Sequence, residues 1–401
     1  MSLAEESGTD FDIVIVGAGI VGLTLASHLQ DQGLRIAIIN KDAFRIEKGA
    51  TCNLRVLALT LASQQSLDQL NVWQRLDSKE YAPFVGMQVW ESQQTANLFF
   101  DSADTGVACL GYIIKNSDLE HGLYAQAKTD KELTWYAPNT LIKLQIDQNQ
   151  ALLTLDSGIE LTTNLVVGAD GAQSQVRQLA DIQIKSTDYA QCALIATVET
   201  ELTHKQIASQ IFLPNGPLAF LPLKNPHHCS IVWSNIPAEV KRLLSIDDES
   251  FCKELTAAFE QRLGKVVSTS SRLSYPLKIQ EAEQYIKLGI ALIGDAAHTI
   301  HPLAGQGANL GIADAQCLAK VILEAKQKHR SISAFYTLRR YERERRFYNR
   351  IMMGGVDGIK HLFASSHPLI QRTRQFGLGM LNNISGLKNV IARYAMGNLN
   401  V

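Results

Sequence analysis

Six cysteines are scattered along the 401 residues (Cys52, Cys109, Cys192, Cys229, Cys252 and Cys317), and no two form a C-x-x-C pair. Neither a zinc ribbon nor a disulfide framework is encoded, and a reducing compartment, the cytoplasm, is the expectation. No charge of either sign dominates: 38 Lys and Arg face 39 Asp and Glu, a formal net charge of -1. The basic field that nucleic-acid binding needs is therefore missing, and no nucleic-acid partner is expected. No run of about eighteen apolar residues offers a membrane-crossing helix. The N-terminal MSLAEESGTD is acidic and polar, where a secretory signal carries a basic and then an apolar segment. Internal repeats and low-complexity tracts are also lacking.

What is present is a large apolar fraction, 46% of residues, enough for two domains with a substantial core. Charge is unevenly distributed. Residues 339–401 hold eleven Lys and Arg against three acids, which leaves 27 basic and 36 acidic residues in the first 338.

The apolar run Phe11 to Val16 flows into Gly17-Ala18-Gly19-Ile20-Val21-Gly22, then a helical stretch to Gln32 and a second apolar run, Leu34 to Ile39. This is a β-α-β unit with G-x-G-x-x-G in the context that dinucleotide binding requires. Asn40 ends the second run, where the fingerprint expects an acid to take the adenosine ribose hydroxyls. A second turn, Ala169-Asp170-Gly171, follows the apolar run Leu165 to Gly168.

The longest motif reads LIGDAAHTIHPLAGQGANLGIADA, residues 292–315. A short strand ends at Gly294, which puts Asp295 at its carboxyl end, where open α/β sheets hold ligands. Gly305, Gly307 and Gly311 let backbone approach a bulky partner, and a helix is predicted to begin near Gln306 to Asn309. Its free N–H groups favour negative charge. His298 and His301 have H-x-x-H spacing, but no third ligand is spaced with them, and no metal is expected.

Between the motifs, Leu59 to Leu76 reads as a helix and Met87 to Phe100 as strand. Residues 192–274 are rich in short strands, with a helix over 249–263. Beyond residue 315 the pattern is helical, with breaks at Gly354-Gly355, Pro368 and Gly386. The expected fold class is α/β: a discontinuous Rossmann-like cofactor domain (1–75, 110–180 and 275–338), an inserted β-rich substrate domain (76–109 and 181–274) and a helical C-terminal region (339–401).

GAGIVG at 17–22, GADGAQSQVR at 168–177 and IGDAAHTIHPLAGQGANLG at 293–311 stand in one order. Together they resemble the FAD-dependent aromatic hydroxylases of the para-hydroxybenzoate hydroxylase class. NLRVLAL at 53–59, LGYIIKN at 110–116, GPLAFLPL at 216–223 and ARYAMG at 392–397 are similar to the branch that hydroxylates the polyprenylated ring in ubiquinone biosynthesis.

The resemblance implies FAD as cofactor and NAD(P)H as co-substrate. Gly17, Gly19 and Gly22 would surround the pyrophosphate, with Asn40 at the ribose and Arg55 at the phosphate or ribityl region. Asp170 and Gly171 would lie near the pyrophosphate, with Arg177 closing their motif. Asp295 would bond the ribityl chain. The backbone of Gly305, Gln306, Gly307 and Asn309 would meet the flavin's pyrimidine end, and His301 and Pro302 would flank an oxygen pocket, with no acid or base role assigned to His301.

The implied reaction is transfer of one oxygen atom from O2 to an electron-rich phenol through a flavin C4a-hydroperoxide, with a polyprenylated phenol as substrate. A prenyl-chain reductase and a non-enzymatic prenyl-binding protein are the alternatives on the same scaffold. A flavin halogenase is disfavoured because VWSNIP at 232–237 lacks the W-x-W-x-I-P pattern. The basic region 339–401 is expected either to lie on the inner face of an anionic membrane or to form a solvated helix with internal Glu-Arg pairs. Other ubiquinone-biosynthesis proteins are candidate partners.

Overall fold

Phe11–Val16 forms strand β1, whose last four residues are buried. Gly17 then turns at φ +108°, and a Cβ there would lie 2.4 Å from the carbonyl oxygen of Ala169. Only glycine permits that turn so close to a neighbouring strand end. Helix α1 (Ile20–Leu29) is buried almost all round, as expected of a helix covered on both sides. Strand β2 (Ile36–Ile39) returns parallel to β1, pairing Ile13 with Ile36 and Val16 with Ile39. The computed structural model describes residues 8–43, 54–92, 97–147, 150–299 and 306–364.

On the other side of β1 lies β3 (Glu160–Gly168), also parallel, and beyond it β4 (Ile290–Leu292). The strand order therefore reverses between β1 and β3, the place where doubly wound sheets open a ligand crevice. Behind β4 the chain continues into two long helices, α2 (Gln306–Gln327) and α3 (Phe335–Ala364). Gly311 and Gly294 allow α2 and its preceding turn to press on α1, since a Cβ at either would come within 2.5 and 2.9 Å of Val21.

The second sheet is built around the 17-residue strand Ile184–Thr200. Its order runs from His298–Thr299 through Leu273–Ala282, Ile184–Thr200, His228–Asn235, Gly216–Pro222, Ile207–Leu213 and Gly86–Glu91 to Asn97–Asp101. Pro237–Ser245 and Asp248–Ala258 are helices that cover one face, burying Trp90, Leu194, Phe220, Ile231 and Phe251. Strand alternation leaves Pro217, Ala219 and Leu221 on the opposite face. The sheet runs past residue 275 to Ala282 and takes in His298–Thr299, so it reaches directly into the long third motif. A small third sheet joins Val56–Thr60, Gly111–Lys115 and Tyr81–Phe84.

Two local expectations change. Leu59 to Leu76 is not one helix: Val56–Thr60 pairs with Gly111–Lys115 as a strand, and the Thr60 hydroxyl accepts from Ser63 N to cap a helix over Leu61–Gln69. Gly354-Gly355 does not end the last helix, which runs through to Ala364. Its inner face is anchored by Tyr341, Arg345 and Asn349, and two glycines cost less than those contacts supply.

Candidate active site

Three residues from distant parts of the chain stand in line. Val16 pairs with Gly168, and Gly168 with Leu292, across parallel strands. All three glycine or Gly-Asp motifs consequently leave the sheet at one level, at its carboxyl edge and beside the reversal of strand order. This brings together Gly17, Asp170 and Asp295, residues separated by most of the sequence.

The fingerprint turn is shaped by contact on two glycines and by space on the third. A Cβ on Gly22 would lie 2.0 Å from the Gly17 carbonyl oxygen, whereas one on Gly19 would meet nothing within 4 Å. Gly19 is the N-cap of α1 and has no side chain to cap it. The first N–H groups of α1 thus have no side-chain cap, which suits them to a phosphate. Asn40 is engaged from β2: its Oδ1 accepts from Ala18 N at 3.1 Å and its Nδ2 donates to the Asp42 carbonyl at 2.8 Å. One lone pair on Oδ1 remains for a ribose hydroxyl.

Asp170 Oδ2 accepts from Gln175 N at 2.7 Å and Val176 N at 3.2 Å, capping the short helix Gln175–Leu179. Its Oδ1 is buried with no partner. Burial raises the Asp170 pKa, opposed by hydrogen bonds from Ser174 and the helix N–H groups. Gly171 follows at φ +82°, with open space where a Cβ would point. Arg177 is buried and fastens this motif to the next, donating to the Ala172 carbonyl at 2.7 Å and the Ala296 carbonyl at 2.9 Å.

Asp295 sits in the turn Gly294–Ala296. Burial raises its pKa; His298 and Arg55 pull it down, and Asp314 pushes it up. It makes no hydrogen bond among the described residues, so both carboxylate oxygens are available to hydroxyl donors such as those of a ribityl chain. Arg55 is exposed, precedes Val56–Thr60, and acts electrostatically on Asp295, Glu120 and Tyr275. It therefore stands where the first sheet's carboxyl edge meets the second sheet.

Asn309 ties α2 to the strand Val56–Thr60. Its Oδ1 accepts from Thr60 N at 2.9 Å and its Nδ2 donates to the Ala58 carbonyl at 2.8 Å, pinning the first turn of α2. Gln306 and Gly307 open the same helix, so their backbone belongs to its positive end. Gly305, His301 and Pro302 lie outside the described residues.

His298 Nε2 lies 2.5 Å from Asp314 Oδ2, and Asp314 Oδ1 accepts from Arg345 Nε at 2.7 Å and Asn349 Nδ2 at 3.3 Å. Gly294 N also donates to Asp314 Oδ2 at 3.1 Å. The motif that carries Asp295 is thus tied to both terminal helices. Sequence reasoning missed Asp314, although a signal existed: it falls among Leu310, Leu318 and Val321 on the apolar stripe of α2, where an acid needs buried partners. Tyr275 and Glu120 were also missed. Tyr275 faces Arg55 from the strand Leu273–Ala282, where burial raises its hydroxyl pKa.

Residues 10–353 match the family described as FAD binding domain, and the chain belongs to that family. Among curated proteins it is 34% identical to the 3-demethoxyubiquinol 3-hydroxylase of Escherichia coli, over 96% of this chain and 98% of that one. It is 34% identical to the ubiquinone hydroxylase UbiL of Rhodospirillum rubrum (97% and 90% covered) and 30% to the human mitochondrial ubiquinone biosynthesis monooxygenase COQ6 (96% and 92%). Among solved structures, the p-nitrophenol 4-monooxygenase PnpA of Pseudomonas putida shares the fold at TM-score 0.79 and 16% identity, covering 98% of this chain and 99% of that one. The chain is an FAD-dependent monooxygenase of the aromatic hydroxylase class. Its residues suit that cofactor: open space at Gly19 for a pyrophosphate, and at Asp295 a buried carboxylate, without a hydrogen bond among the described residues, for a polyol.

Proposed function

We propose that this enzyme hydroxylates the aromatic ring of a polyprenylated phenol on the way to ubiquinone, using O2 and NAD(P)H. The alignment of Val16, Gly168 and Leu292 carries the reading, because it converges three motifs on one elongated cofactor. Relatives named as ubiquinone hydroxylases and monooxygenases support oxygen insertion over prenyl-chain reduction or mere prenyl binding.

In this reading Gly17, Gly19 and Gly22 hold the pyrophosphate at the start of α1, with Asn40 at the ribose. Asp170 and Gly171 border the pyrophosphate. Arg55 neutralises phosphate charge as a permanent cation. Asp295 accepts from the ribityl hydroxyls, and the N-terminal backbone of α2 at Gln306 and Gly307 offers a positive field to the pyrimidine end. Bound FAD supplies the oxygen-activating chemistry. The protein excludes water and orients the ring against the sheet face that carries Ala219 and Leu221. An electron-rich phenol needs little further activation.

Among the described residues no helix is long and apolar enough to cross a membrane. We place the enzyme peripherally on the membrane that holds its substrate, through residues 339–401, in company with other ubiquinone-biosynthesis proteins. Turnover under oxygen-18 gas tests the chemistry. The expected product carries one labelled atom, and label arriving from water instead would end the monooxygenase reading. The ring carbon follows from which prenylated intermediate accumulates in cells without this protein.

A further inference from the structure

Helix α3 has two faces of different character. Inward, Leu338, Tyr341, Arg345, Asn349 and Met353 are buried. Tyr341 Oη donates to the Leu292 carbonyl at 2.8 Å, and Glu281 receives Arg346 at 3.4 Å and Arg350 at 2.7 Å. Outward, at spacings of three and four, stand Tyr336, Arg340, Arg343, Phe347 and Ile351, all exposed, with the exposed Glu344 the one acid among them. Such spacing places them on one side of a helix.

The outward face is not that of an ordinary solvated helix. Phe347 is 71% exposed, the highest value among the exposed large hydrophobic residues described, and Tyr336 is 60% exposed. Arg340 pairs with Glu324, but Arg339 and Arg343 have no carboxylate within ion-pair distance among the described residues. Leu288 is 46% exposed and sits beside the start of the helix, where Gly289 N donates to the Ser333 carbonyl at 3.3 Å. Apolar rings flanked by arginines match the boundary between acyl chains and anionic headgroups. The acidic excess of residues 1–338 makes the rest of the chain on balance a poorer match to anionic headgroups.

We propose that the outer face of α3 docks the enzyme on an anionic bilayer, with Phe347 and Tyr336 entering the headgroup boundary and Arg339, Arg340 and Arg343 against lipid phosphates. The polyprenylated-substrate reading supplies the purpose of docking, while the binding itself rests on the helix face. The experiment is co-sedimentation of the full-length, flavin-loaded protein with vesicles of phosphatidylcholine alone or mixed with phosphatidylglycerol. Binding is expected to the mixed vesicles, to weaken with salt, and to fall about tenfold or more in Arg343→Glu and clearly in Phe347→Ser. Flavin content and oxidation of NAD(P)H with a water-soluble phenol stay unchanged in both variants. Absent binding, equal binding to neutral vesicles, or variants that bind like the wild type would overturn the proposal. So would a change in elution volume of the variants without lipid, which would assign the face to a second copy. Product formation from detergent-dispersed substrate, measured on the same preparations, reports separately on the hydroxylase reading.

Discussion

Arg345 and Asp314 form a buried ion pair, Nε to Oδ1 at 2.7 Å, whose carboxylate has His298 on its other oxygen. Burial alone would raise the Asp314 pKa, but His298 and Arg345 hold it down to about 2. The pair joins α3 to the segment that delivers Asp295. Replacing Arg345 by Met leaves an uncompensated buried charge, and a loss of about 3–5 kcal/mol is expected. Urea unfolding of the flavin-loaded protein measures it, and a loss below about 1 kcal/mol would mean that the pair does not brace the fold.

His28 gives a prediction in pH. It lies on α1 near Ser66 Oγ, and burial lowers its pKa to about 4. The unfolded chain takes up a proton on this imidazole below about pH 6.5, and the native protein does so only near pH 4. Stability is therefore expected to fall as the pH drops through that window, by roughly 2–3 kcal/mol from this residue. His28→Gln should flatten the slope, and an unchanged slope would assign the acid sensitivity elsewhere.

Asp295→Ala removes a carboxylate that no other described residue hydrogen-bonds. Folding should be little affected, because no internal partner is orphaned. Flavin affinity should drop about 10- to 100-fold, the worth of a charge-assisted hydrogen bond. Titration of apoprotein by flavin fluorescence decides it, and unchanged affinity would remove Asp295 from the cofactor site.

The three fingerprint glycines should separate into two kinds. Gly22→Ala forces a Cβ onto the Gly17 carbonyl and should cost about 1–3 kcal/mol or more in stability. Gly19→Ala points into open space, so the protein should fold with wild-type melting yet bind FAD more weakly. Equal loss of stability in both variants would contradict the assignment of Gly19 to the phosphate cradle.

The cofactor motifs were legible in the sequence because their rules are local. A glycine in a tight turn, an acid at a strand end and a helix start each announce themselves within a few residues. Val56–Thr60 escaped notice because its partner, Gly111–Lys115, is distant, and its Leu and Ala content suits a helix equally well. The Arg345–Asp314–His298 cluster was hidden for a similar reason: its members lie on one helix, on another helix and in a two-residue strand, and only the fold brings them together. Tyr275 stood at an expected domain boundary, whereas the strand it belongs to continues to Ala282.

The alignment of Val16, Gly168 and Leu292 also governs when the site can exist during synthesis. The first β-α-β unit leaves the ribosome early with its fingerprint complete, but β1 then has no neighbour on its other side until β3 has been made. That neighbour in turn waits for β4. Contacts this distant in sequence form late and slowly. A nascent chain stopped before Leu292 therefore displays a nucleotide fingerprint and cannot hold a flavin, so cofactor capture marks the end of folding rather than its start.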